Sequence, residues 1–149
     1  MVNILKKYLK VLLPLIACIL VSSLFVYLGK ISYDNIITPK FAPPSFIFPI
    51  VWTIIYLIFF FTMIKFYNNK RLYNLYIIIL VIQTLWNIIF FGLGSFLLSV
   101  FIIIILYFIS WLFVYYLSKE NKKLLYIYLI YIIWLLIATY LNIGIFILN

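Results

Sequence analysis

The stretch Leu75–Leu117 reads LYIIILVIQTLWNIIFFGLGSFLLSVFIIIILYFISWLFVYYL and contains no charged residue. A membrane-spanning helix needs about 20 predominantly apolar residues, so this run is long enough for two, divided by Gly94-Ser95. Two residues between spans leave room only for a tight antiparallel hairpin. The two helices must therefore be neighbours, with Ser95 placed to cap the second. On either side of this stretch lie three more apolar runs. The five predicted spans are Leu9–Leu28, Phe46–Ile64, Leu75–Leu93, Phe96–Leu117 and Leu124–Leu148, with the charges confined to the gaps. The expected fold is all-α: an integral membrane bundle of five transmembrane helices, a single domain over residues 1–149.

Composition points the same way. The chain is 70% hydrophobic and 9% charged, whereas soluble domains are about a quarter charged. A membrane β-barrel would show segments of about 10 residues alternating polar and apolar, and these runs are continuous. Abundant Ile and Tyr favour strands locally, but in hydrocarbon the need to satisfy every backbone group overrides propensity. The net charge of +9 could suggest a nucleic-acid partner; its distribution argues against one. With five spans, Lys6, Lys7, Lys10, Lys65, Lys70, Arg71, Lys119, Lys122 and Lys123 share one side, and only Lys30 and Lys40 lie on the other. The positive-inside rule then predicts a cytoplasmic N-terminus and a C-terminus, Asn149, outside. Such a bias suits a bacterial inner membrane.

Pro14 should bend the first span or mark where its regular part begins. The longest connection, Gly29–Ser45, holds Lys30, Asp34, Lys40 and three prolines, and long connections in compact proteins tend to be functional. Ser45 is expected to cap the second span, placing Pro49 at the fourth helical position, where its missing N–H costs little. No internal repeat or disordered segment is apparent.

Several chemistries are absent. There is no histidine, which excludes a catalytic triad, an axial haem histidine and a histidine zinc site. The single cysteine, Cys18, excludes an internal disulfide and a cysteine metal site. Leu15-Ile16-Ala17-Cys18 resembles a lipoprotein signal, but the apolar run continues through Ile19–Leu28 as a true span does. Asp34 and Glu120, the two acidic residues, both sit in connections, so no intramembrane carboxylate suggests a proton relay. The spans instead carry rings and a few amides. Most of the 33 aromatic residues pack helices or form interfacial belts. Gln83 and Asn87, four apart, share one face of the third span; Tyr131, Trp134, Ala138 and Asn142 share one face of the fifth. A buried amide needs a partner, which can be another helix, water or a ligand.

The segment from Tyr33 through Asp34, Pro39, Lys40, Phe41, Pro43-Pro44, Phe48-Pro49 and Trp52-Thr53, followed by Tyr56, resembles the signature of the TspO/MBR family. This family comprises bacterial tryptophan-rich sensory proteins and mitochondrial translocator proteins, the peripheral-type benzodiazepine receptors. Gln83 with Asn87, and Tyr131, Trp134, Ala138, Thr139, Leu141, Asn142 and Asn149, resemble two further family blocks. The sequence departs from the pattern where family tryptophans are replaced by Ser32, Phe41, Phe46 and Phe90, the loop lysine by Thr38, a Phe-Phe pair by Gly94-Ser95, and a proline by Ile130.

The resemblance implies a five-helix bundle, dimeric in many members, with a pocket opening toward the first loop and no resident cofactor or metal. Its expected ligand is a porphyrin or related tetrapyrrole, and its other partner the lipid bilayer. Carried over residue by residue, the ligand-binding set is Tyr33, Phe48, Trp52, Tyr56, Gln83, Asn87, Tyr131, Trp134, Ala138 and Asn142. A wide apolar plate with polar edges suits stacked rings and a few amides. Cholesterol, bound by animal members, is not carried over, because no basic residue follows Lys123. Two alternatives stay open: light- or oxygen-dependent porphyrin breakdown between Trp52 and Trp134, and a helper protein whose rings only pack helices. The lack of an acid, base or nucleophile within the spans weighs against an enzyme.

Overall fold

The computed structural model describes residues 2–149, with side chains from Ile4 onward. Five helices run α1 (Val2–Leu28), α2 (Ile47–Phe66), α3 (Lys70–Asn87), α4 (Phe96–Glu120) and α5 (Lys122–Leu148). All five are long and apolar enough to cross a membrane; even α2, with 20 residues, spans about 30 Å. The predicted spans are therefore matched in number and order, and differ at their ends. α1 begins seven residues before Leu9 and continues through Pro14, so the helix runs past its apolar stretch into the segment that carries Lys6 and Lys7.

Both predicted serine caps fail. α2 begins at Ile47, Phe46 occupies the cap position, and Ser45 makes no side-chain cap. The Ile47 N–H instead meets the Pro44 carbonyl at 3.0 Å, so Pro49 falls at the third helical position. Ser95 does precede α4, but its hydroxyl makes no cap bond. The hairpin it belongs to begins earlier, where α3 widens into a π-turn over Ile88–Leu93 that ends on Gly94 in the left-handed region, φ 68°. Asparagines cap at the opposite end: Asn69 Oδ1 accepts the Leu72 N–H at 3.2 Å and Asn121 Oδ1 the Lys123 N–H at 3.0 Å.

α4 packs along both α5 and α3, and α1 along α3 and α2, while α2 touches α3 and α5 only thinly. The core is uneven along the bundle axis. Toward the lysine-rich end the Phe59 ring sits among Tyr131, Tyr128, Phe113 and Tyr76 at centroid distances of 5.1, 5.3, 5.5 and 5.9 Å. This plug joins α2, α3, α4 and α5, and the Tyr131 hydroxyl shares a 2.9 Å hydrogen bond with Ser110. At the same end Lys10 of α1 donates to the Tyr67 carbonyl, between α2 and α3, at 3.3 Å. The three lysine-bearing segments are thus gathered together. The outer faces are apolar: Leu97, Phe101, Ile105, Phe108 and Leu112 run exposed down α4, a stripe that belongs against lipid rather than water.

Candidate functional site

Where α2 leans away from the rest, the bundle opens into a cavity of about 920 Å³ bounded by α1, the first loop, α2, the end of α3 and the last third of α5. Tyr33, Phe48, Trp52, Tyr56, Gln83, Asn87, Ala138 and Asn142 all line it. Aromatic residues supply one wall: Tyr33 meets the Phe48 ring edge-on at 4.8 Å, and Trp52 stacks on Tyr56 at 5.8 Å. The Tyr33 hydroxyl donates to the Pro43 carbonyl at 3.1 Å, which fixes the loop's inner edge.

Tyr131 and Trp134 are not among the lining residues. They lie on the expected face of α5 but too deep along it: seven residues separate Tyr131 from Ala138, about 10 Å along the axis, which takes Tyr131 into the plug. Trp134 sits behind Phe48, with ring centroids 5.5 Å apart, and its buried Nε1–H has no acceptor among the described residues.

The amides divide into two kinds. Asn142 is committed to the protein: its Oδ1 accepts the Trp86 indole N–H at 2.6 Å, and its Nδ2 donates to Ser99 Oγ at 2.9 Å. One side chain thereby ties α3, α4 and α5 together. Asn87 Nδ2 donates to Ser22 Oγ on α1 at 3.2 Å and to the Gln83 carbonyl at 3.0 Å. Gln83 is different: its Oε1 is buried with no hydrogen-bond partner among the described residues, one turn from Asn87 on the cavity wall. A buried acceptor left unpaired costs about 1–3 kcal/mol, so a donor brought by a ligand would relieve that cost.

Sequence reasoning missed part of the wall. Trp86, Phe90 and Phe91 line it, as do Ile19, Ser22 and Val26 of α1. The π-turn turns Phe91's carbonyl toward the loop, where it accepts the Ile31 N–H at 3.0 Å. In α1 the buried face runs through Val11, Leu15, Cys18 and Ser22, and the small polar pair Cys18 and Ser22, four apart, was the signal for it. The amide ladder did offer a signal for Trp86, adjacent to Asn87.

The first loop is strapped over this end of the cavity by α5. Asn149 accepts the Ile37 N–H at 3.0 Å and donates to the Ile37 carbonyl at 2.8 Å, copying a strand-like pairing with one side chain. The Tyr140 hydroxyl donates to the Lys40 carbonyl at 2.5 Å. Pro39 lies on Gly144, where an added Cβ would stand 2.6 Å from the proline Cγ, so only glycine lets the loop settle so closely.

The sequence profile of the TspO/MBR family matches residues 10–148. The chain belongs to the TspO/MBR family. One relative, Tryptophan-rich protein TspO from Archaeoglobus fulgidus, is 31% identical over 122 residues, covering 78% of this chain and 79% of the relative. Within this TspO/MBR chain the four positions at which the resemblance implies tryptophan separate by place in the fold. Phe90 and Ser32 border the cavity, whereas Phe41, in the left-handed region at φ 68°, and Phe46 stand exposed at 85% and 62%.

Proposed function

We propose that this TspO/MBR protein is a membrane receptor or transporter-like protein that binds a porphyrin or related tetrapyrrole in the cavity beneath its first loop, in a regulatory or stress-related role. The observation that carries the reading is the cavity's make-up: about 920 Å³, at the upper end of the ~300–1,000 Å³ of small-molecule sites, walled by Tyr33, Phe48, Trp52, Tyr56, Trp86 and Phe90. Ring faces suit a flat macrocycle, and Gln83, whose buried Oε1 has no partner among the described residues, is an amide on the wall that can turn to meet a ligand's polar group. Among the described residues Asp34 is the sole charged group on the lining, so acidic substituents of a ligand point outward, away from the wall.

The positive-inside rule orients the bundle with its lysine-rich end in the cytoplasm, and the strapped loop and cavity mouth then face the other side of the membrane. Bacterial inner membrane placement follows from the same bias. Homodimer formation is expected from the family. The alternative, breakdown of a porphyrin held between Trp52 and Trp134, has less support, because Trp52 lines the cavity and Trp134 lies behind Phe48.

The test is a titration of the purified protein with protoporphyrin in the dark, followed by tryptophan quenching. Saturable quenching whose midpoint moves to higher porphyrin concentration in the Trp52→Phe/Asn87→Leu variant supports the site; non-saturable quenching refutes the binding, and an unchanged midpoint in the variant refutes this pocket. Illumination of the complex then checks the alternative: degradation products from the wild type that vanish in Trp52→Phe would establish an enzyme.

A further inference from the structure

A second concavity, independent of the tetrapyrrole reading, lies at the other end of the molecule. We propose that the groove between α3 and α4 at the lysine-rich end binds the headgroup phosphate of an anionic phospholipid, with an acyl chain running down the seam between the two helices.

The groove has a volume of about 480 Å³ and is lined by Lys70, Arg71, Asn74, Leu75, Leu112 and Tyr116. Its polar rim is basic. Neither Lys70 nor Arg71 has a carboxylate partner or hydrogen-bond acceptor among the described residues. The Arg71 guanidinium lies over the Tyr116 ring, 4.5 Å from its centroid, so its planar fork is held in place with donors to spare. Lys119 comes within 5.8 Å of the same ring. The nearby carboxylate, Glu120, is engaged by Asn69 Nδ2 at 2.9 Å.

The depth of the groove is apolar. Leu75 is buried at its floor, Leu112 is exposed at its edge, and Ile78 and Phe108, one turn deeper, are exposed large hydrophobics. A free phosphate would use only the rim, whereas a phospholipid uses both parts. The groove also opens where helix ends meet the headgroup layer, and basic pockets between transmembrane helices on that side recognise acidic headgroups.

The test uses the full chain in neutral detergent, with native mass spectrometry counting retained lipid. Phosphatidylglycerol is expected to be retained at one per chain, and phosphatidylcholine of the same chain length to be lost. Lys70→Gln/Arg71→Gln should loosen phosphatidylglycerol by roughly thirtyfold, about fivefold for each surface cation. Lys122→Gln/Lys123→Gln, an equal charge change outside the groove, should leave it bound. An unchanged thermal transition and unchanged helical circular dichroism in the first variant confirm that it is folded. Equal retention of the two lipids, equal loss in the two variants, or displacement by millimolar inorganic phosphate would each overturn the proposal.

Discussion

Replacing Asn142 with Leu keeps the branching at Cγ and removes only the polar atoms that hold Trp86 and Ser99. The interhelical bonds to Trp86 and Ser99, of 2.6 and 2.9 Å, disappear, with a longer one of 3.4 Å to the Phe96 carbonyl. Such bonds in membrane bundles average about 0.6 kcal/mol and reach about 1.7, and the stranded Trp86 N–H adds a desolvation cost of about 1–3 kcal/mol. The variant should lose about 2–4 kcal/mol in reversible unfolding by SDS in mixed micelles. Trp86→Phe removes the same donor from the other side, so the double variant should recover part of the loss. The expected coupling is about 1–2 kcal/mol, within the range seen for contacting residues. Ser99→Ala should cost less than either, because Asn142 Nδ2 also reaches the Phe96 carbonyl at 3.4 Å. If the two single losses add to within about 0.5 kcal/mol, Asn142 is not the tie between α3 and α5, and the reasoning fails.

Gln83→Leu should behave in the opposite sense: removing an unpaired buried acceptor leaves the empty protein as stable or more stable by up to about 1 kcal/mol, while porphyrin affinity falls several-fold; a destabilised variant with unchanged affinity would refute this. Gly144→Val forces Pro39 off α5 and Asn149→Ala removes both bonds to Ile37, so limited trypsin digestion should cut after Lys40 several-fold faster in each than in the wild type. Because Asp34 is the one charge on the cavity wall, the dimethyl ester of protoporphyrin should bind at least as tightly as the free acid, and Asp34→Asn should strengthen the free acid alone. Free acid binding tenfold tighter than the ester would contradict that electrostatic reading.

The helices were legible because hydrocarbon imposes one requirement, unbroken apolar length, and Leu75–Leu117 meets it twice around Gly94-Ser95. Their ends were less so. Ser45 and Ser95 stand at plausible cap positions, but the Pro44 carbonyl and the π-turn satisfy those backbones first. On α5 a step of three or four residues identified the right face and could not give depth, which is why Ala138 and Asn142 line the cavity while Tyr131 and Trp134 lie below it. On α1 the signal was slight: Cys18 and Ser22, four apart, lie on the buried face, and the Asn87–Ser22 bond holds that face against α3. The strap over the cavity depends on Asn149 meeting Ile37 from the far end of the chain, a pairing that local rules do not reach.

The most direct test of the cavity as the tetrapyrrole site is to fill it. Ala138 lies on its wall and is almost fully buried, so Ala138→Phe projects a ring into the space at a packing cost of about 1–3 kcal/mol, small enough for the helical signal to persist. Protoporphyrin binding in the dark is then compared with that of Phe101→Leu, a change on the lipid face. Loss of saturable binding by at least tenfold in Ala138→Phe, with Phe101→Leu unchanged, is the result expected; equal affinity in the two folded variants would place the ligand elsewhere.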